Sequence, residues 1–146
     1  MLFRSAGNRG ELIPAQFDRF ARLGDGIITT YLDARECRLV RERAEAALAL
    51  HGRALRHFPL CVYTTVRMDD DAQKAARETK DFLATYYGGG VHMRGLMGLG
   101  PAGAVITALQ QYAAAGVTDL CIRFVGGGQL AQLEQFTKEV LPALRG

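Results

Sequence analysis

The sequence predicts an α/β fold on a parallel sheet, with too few strands to complete that sheet. Short β-branched or apolar runs alternate with amphipathic runs of helical period, in the order α-β-α-β-α-α-β-α. Strand–helix–strand alternation implies right-handed crossovers and parallel pairing. Parallel sheets need both faces covered, and three strands are few for that. The chain is therefore expected either to pair with a second copy or to form part of a larger sheet. It also opens on a helix, with only Met1–Ser5 ahead of it as the stub of a strand.

The first helix is read over Ile13 to Leu23, where apolar side chains recur at 13, 17, 20 and 21. Pro14 suits its first turn and Gly24 its stop. Gly26 to Leu32 follows as a buried strand rich in β-branched residues. Asp33 and Glu36 have capping-box spacing ahead of a helix whose stripe is Cys37, Val40, Ala44, Ala47, Leu48, His51 and Leu55. Leu60 to Val66 is the second strand. Asp69, Asp70 and Asp71 favour the positive end of a helix, on which Ala72, Ala75, Ala76, Thr79, Phe82, Leu83 and Tyr86 share one face. A glycine-rich loop spans Gly88 to Gly100. Pro101 opens a helix with Val105, Leu109, Tyr112 and Ala113 inward and Gly116 as its stop. Leu120 to Val125 is the third strand. Gly126–Gly128 lead into a last helix carrying Leu130, Leu133, Phe136, Val140, Leu141 and Leu144.

Of the 146 residues, 49% are hydrophobic and 23% charged, which fits a globular domain with a core and excludes a disordered chain. The net charge of +3 is small, and basic residues mix with acidic ones over Arg35–Glu45 as on a solvated helix face. Nucleic acid is not expected as a partner. No apolar run is long enough to span a bilayer, and no signal-peptide pattern stands at the N-terminus. Cys37, Cys61 and Cys121 are scattered, without zinc or disulfide spacing, and are expected to be buried, reduced thiols of a cytoplasmic protein.

Three stretches resemble one known family. Phe20–Gly26 (FARLGDG) runs from helix to strand, Tyr112–Leu120 (YAAAGVTDL) runs into Cys121–Phe124 (CIRF), and Leu130–Phe136 (LAQLEQF) with Glu139–Pro142 (EVLP) forms the closing helix. Their order and spacing, from about Ala6 to the end, are similar to those of the luciferase-like flavin-dependent oxidoreductases and monooxygenases, a (β/α)8-barrel family. The resemblance implies an α/β chain that is the C-terminal part of a TIM barrel, one partial domain over 1–146. The three strands become barrel strands six to eight, with covering helices, and the first half of the barrel lies outside the chain. The start departs from the family: in place of an apolar strand ending in Gly-Gly stand Arg4–Asn8 and a longer lead-in, Arg9–Pro14.

Barrels keep functional groups at the C-terminal ends of their strands. Gly7, Asn8, Arg9 and Gly10 precede the first helix, where free N–H groups suit a phosphate and Arg9 adds charge. The resemblance implies a cofactor-phosphate loop here; the other reading is a flexible chain end. Thr30 and Tyr31 suit a phosphate or substrate contact, Asp33 an N-cap, and Gly24 and Asp25 a helix stop and turn. Arg123 alternates with Leu120, Ile122 and Phe124 and so is expected to point into the barrel, towards a carboxylate of another strand or an anionic ligand group. His92, in the long loop, is either an acid–base group or a surface histidine. His51 and His57 read as helix-packing or helix-end residues.

No Ser/His/Asp arrangement, metal cluster or phosphate-loop motif stands in the sequence. The resemblance implies a homo-oligomeric oxidoreductase or monooxygenase acting on a small molecule, with FMN, or the deazaflavin F420, at the barrel mouth. This segment would supply phosphate-side and mouth contacts. Groups for the flavin ring and for proton transfer are expected in the other half, and this chain alone is expected to be inactive. The alternative is a non-catalytic half-barrel module that homodimerises.

Overall fold

The computed structural model describes residues 14–30, 32–54, 56, 58–88 and 97–145. The elements are α1 (Pro14–Leu23), β1 (Ile27–Thr30), α2 (Ala34–Leu50), β2 (Leu60–Met68), α3 (Ala72–Tyr87), β3 (Gly98–Gly100), α4 (Ala102–Ala114), β4 (Asp119–Phe124) and α5 (Gln129–Gln135). A π-helical turn at Phe136–Val140 then joins α5 to α6 (Leu141–Arg145). β1 pairs parallel with β2 from Ile27↔Leu60 to Thr30↔Tyr63, β3 pairs parallel with β2 over Val66–Met68, and β4 also pairs with β2. Among the described residues the sheet thus has four strands where the sequence predicts three. No described helix is long and apolar enough to cross a membrane. Two compact units divide the chain: Met1–Tyr63 with Tyr112–Cys121, and Thr64–Gln111 with Ile122–Gly146.

In the first unit, α1 buries Phe17, Phe20 and Ala21. Phe17 and Phe20 meet edge to face with centroids 5.0 Å apart, and Phe20 lies 5.4 Å from Phe58. The helix stops where the Gly24 N–H donates to the Phe20 carbonyl at 2.7 Å, and a Cβ at Gly24 would lie 2.9 Å from that oxygen. α2 starts in the predicted capping box. The Asp33 carboxylate accepts from the Glu36 N–H at 2.7 Å, and Glu36 accepts from the Asp33 N–H at 2.9 Å. Its buried stripe is Cys37, Val40, Ala44, Ala47 and Leu48. His51 is the C-cap and bonds Asp18 at 2.9 Å; Leu55 and His57 lie outside the described residues. The buried Tyr112 hydroxyl donates to the Leu32 carbonyl at 3.0 Å. Gly116 ends the α4 turn at φ +83, the left-handed conformation expected of a helix stop, and its carbonyl accepts from Arg41 at 2.7 Å.

In the second unit, β2 runs through Arg67 and Met68, past its predicted end at Val66. β3 lies inside the predicted loop. Three residues, two of them glycine, carry no strand propensity, and the strand exists because β2 offers it a free edge. Glycine is required for the approach: a Cβ at Gly98 would lie 2.9 Å from Val105 Cγ1 and 3.1 Å from Val66 Cγ2. α3 is capped by Asp71, which accepts from the N–H groups of Gln73 and Lys74. It buries Ala75, Thr79 and Leu83, a narrower face than predicted, with Ala72, Ala76 and Tyr86 exposed. On the last helix Phe136 and Val140 are buried as predicted, joined by Gln132, whereas Leu130 and Leu133, predicted as core, are exposed. The π turn is closed by the Leu141 N–H on the Phe136 carbonyl, and Gln132 is drawn inward by backbone partners described below.

Gly98→Ala is expected to lower stability by about 1–3 kcal/mol through this overpacking. Gly127→Ala, whose Cβ would meet nothing within 4 Å, should change it by less than about 0.5 kcal/mol. Urea midpoints measure both; equal midpoints would remove the close-approach role given to Gly98.

Candidate functional site

Gly7, Asn8, Arg9, Gly10, Tyr31 and His92 lie outside the described residues. Thr30 closes β1 in the first unit. Its pairing with Tyr63 puts Ile28 and Thr30 on the face of Cys61 and Tyr63, opposite the buried Ile27 and Thr29. The Thr29 and Thr30 hydroxyl oxygens are both buried, with no hydrogen-bond partner among the described residues. An unbonded buried hydroxyl costs about 1–3 kcal/mol, so most are satisfied, and two in succession at a strand end leave hydrogen-bonding capacity unused by the fold. Asp33 is taken up by its cap, and the exposed Asp25 stands 3.9 Å from Arg53 in a turn.

At the end of β2 in the second unit stands Arg67, which the sequence reading left unassigned. It is 8% exposed. Nε donates to Glu78 at 2.7 Å, Nη1 to the Met68 carbonyl at 2.7 Å and Nη2 to Asp69 at 3.3 Å. Asp69 also accepts from Lys74 Nζ at 2.7 Å. Gly126 makes room for this cluster at φ +78, where a Cβ would lie 2.8 Å from Arg67 Nε. Gln132 ties the adjoining backbone together. Its Oε1 accepts from the Met68 N–H at 3.0 Å, and its Nε2 donates to the carbonyls of Val125 at 3.0 Å and Gly127 at 2.9 Å. Parity was the available signal for Arg67, which continues the alternation of Cys61, Tyr63 and Thr65.

Arg123, on β4 in the same unit, donates from Nη1 to the Tyr87 hydroxyl at 3.0 Å and from Nη2 to Thr65 Oγ1 at 3.2 Å. Its guanidinium carbon also lies 5.5 Å from the ring centroids of Phe82, Tyr86 and Tyr87. These described partners are hydroxyls and ring faces of β2 and α3. Phe82 and Tyr86, predicted as core, flank this cation. Phe124, on the opposite side of β4, packs edge to face on Phe136 at 5.5 Å.

The thiols differ more than predicted. Cys37 is fully buried, and burial, reinforced by the nearby Asp33 and Glu36 charges, pushes its pKa up to about 12. Cys61 is half-buried and Cys121 exposed, because the apolar neighbours Leu120 and Ile122 point to the other face of β4. Burial raises the Cys61 pKa, with lesser contributions from Cys121 and Asp119. The Lys74 ammonium, then the Asp71 N–H, hold the Asp69 carboxyl below its ordinary range. Among the described residues, no group of three His, Cys, Asp or Glu is placed to hold a metal. An apolar groove of about 220 Å³ between α1 and α2 is rimmed by Asp18, Arg43 and His51.

No family model and no curated protein matches the sequence. Solved structures do. The chain superposes on a coenzyme F420-dependent tetrahydromethanopterin reductase from Methanopyrus kandleri with a TM-score of 0.74 at 17% identity, covering 97% of this chain and 50% of that one. It superposes on an F420-dependent secondary alcohol dehydrogenase, solved with an F420-acetone adduct, with a TM-score of 0.80 at 15% identity, covering 99% and 48%. For the monooxygenase RslO1 from Streptomyces bottropensis the values are 0.69 and 15%, covering 97% and 47%. The chain therefore has the fold of part of a luciferase-like (β/α)8 barrel, and it spans about half the length of these structures.

The folded-state pKa of Asp69 lies below that of the unfolded chain, so its stabilisation is present above about pH 4 and is lost as pH falls through the folded value. Acid unfolding of Asp69→Asn should accordingly show a shallower pH dependence than the parent. Superimposable acid limbs would show that the Lys74 and Arg67 contacts do not act on this carboxylate in solution.

Proposed function

We propose that this chain is the C-terminal part of a luciferase-like oxidoreductase or monooxygenase that uses FMN or the deazaflavin F420 on a small-molecule substrate. The likeness to F420-dependent enzymes and a monooxygenase supports the class. The observation that carries the cofactor reading is the Thr30 hydroxyl, buried at the C-terminal end of β1 with no described partner. Strand ends of this polarity are where barrels place ligands. A donor hydroxyl that its own fold leaves unbonded fits a phosphate oxygen, so Thr30 would hold the cofactor phosphate, with Tyr31 and the Gly7–Gly10 loop as its companions on the sequence reading. The flavin or deazaflavin, when bound, supplies the hydride or electron chemistry. This chain's residues bind and orient: Thr30 at the phosphate, and Arg123, steadied by Thr65 and Tyr87, at the mouth. Groups acting on the ring belong to the other half of the barrel.

Thr30→Val separates the two roles of that hydroxyl. With no partner among the described residues, its loss should leave the urea midpoint unchanged or raise it slightly. FMN should bind this chain weakly, on the order of 100 µM or above, because half the contacts are missing, and riboflavin, which lacks the phosphate, more weakly still. The variant should erase that difference. Destabilisation by more than about 1 kcal/mol, or micromolar flavin binding that ignores the phosphate, would overturn the reading.

A further inference from the structure

We propose that a second copy of this chain docks on the exposed flank of α2 that bears Leu39, Arg43, Ala46 and Leu50, with α2 packed antiparallel on α2 about a two-fold axis. The pairing runs through helices and stands apart from the cofactor reading.

α2 has one more side than a solvated helix over a core requires. Its buried stripe is Cys37, Val40, Ala44, Ala47 and Leu48. A second side, with Arg35, Arg38, Glu42 and Glu45, is charged, as solvent-facing sides are. Between the two, Leu39, Arg43, Ala46 and Leu50 share an arc of about 60° at 100° per residue. All four are exposed, Leu50 at 85% and Leu39 at 41%. Arg43, Ala46 and Leu50 also line the apolar groove against α1, together with Phe17 and Ala47. Flank and groove thus make one apolar strip on the first unit, of the kind that marks an interaction surface.

Spacing selects the occupant. The four residues follow one another at intervals of four, three and four, so reversing the row exchanges Leu39 with Leu50 and Arg43 with Ala46. An antiparallel helix related by a two-fold axis presents this same row reversed. Leu39 of each copy then meets Leu50 of the other. Each Arg43 stem lies over the small Ala46 opposite, which lets the two helices approach closely. Charge fits the same arrangement. Arg43 stands on the α2 side of the groove and Asp18 on the α1 side. In an antiparallel pair like flanks meet, so each Arg43 is brought to the Asp18 bank of the other copy. His51 at 2.9 Å and Arg22 at 3.2 Å already orient that carboxylate.

Sedimentation equilibrium on the full chain tests the pairing. The chain should be dimeric at about 50 µM, as a standard-size interface allows. Leu50→Glu should raise the dimer Kd by at least about tenfold. Ala46→Gln, which fills the crossing point, should do the same. Both positions are exposed, so circular dichroism and the urea midpoint of the dissociated variants should match those of a monomeric parent at high dilution. Ala46→Gln decides the matter if Leu50→Glu does not fold. Leu130→Glu, at an exposed leucine of α5, should leave the Kd unchanged. A monomer at that concentration, a dimer that survives both Leu50→Glu and Ala46→Gln, or one that Leu130→Glu weakens as much overturns the proposal.

Discussion

Arg67 brings a full positive charge to the buried end of β2, where it is tolerable because Glu78, the Met68 carbonyl and Asp69 accept its N–H groups. Much of the second unit is arranged around that requirement. Glu78 belongs to α3, so satisfying the cation also fixes this helix against the strand. Asp69 turns the chain into α3 and accepts Lys74 from its first turn. Gly126 has to lack a side chain, since any Cβ there would press on the guanidinium. Gln132 then secures the backbone on both sides, the Met68 N–H at the strand end and the carbonyls of the Val125–Gly127 turn.

Alternation along the strands sorts the side chains of this unit onto two sides. Val66 and Phe124 point to the side packed by Val105 and Phe136, while Thr65, Arg67 and Arg123 point to the other. α3 flanks the polar side, its first turns meeting Arg67 and its last turns meeting Arg123 through Phe82, Tyr86 and Tyr87. In the first unit, the Thr30 hydroxyl at the end of β1 has no hydrogen-bond partner among the described residues.

What was legible in the sequence is local chemistry and period. The Asp33–Glu36 capping box, the Gly24 and Gly116 stops, and the stripe from Cys37 to Leu48 follow from cap geometry and a 3.6-residue repeat, and the structure has all of them. Parallel order followed from alternation of element types. What escaped depends on partners distant in sequence. β3 has no propensity of its own and is defined by pairing with β2. Gln132 replaces Leu130 and Leu133 inside because three backbone groups of other segments need it, which no helical pattern encodes. Arg67 was passed over because the strand was read as ending one residue earlier, at Val66. Arg123 was singled out on strand parity, but its aromatic setting required knowing where α3 lies.

The account stands on Arg67 and Glu78 acting as a unit. A double-mutant cycle with Arg67→Met, Glu78→Gln and the combined variant, read by urea unfolding, tests that directly. The account predicts a coupling of about 1–3 kcal/mol, with the double variant more stable than the sum of the single losses implies. Additivity within about 0.5 kcal/mol would contradict it, because α3 would then be held over the polar side of the sheet by something other than this pair.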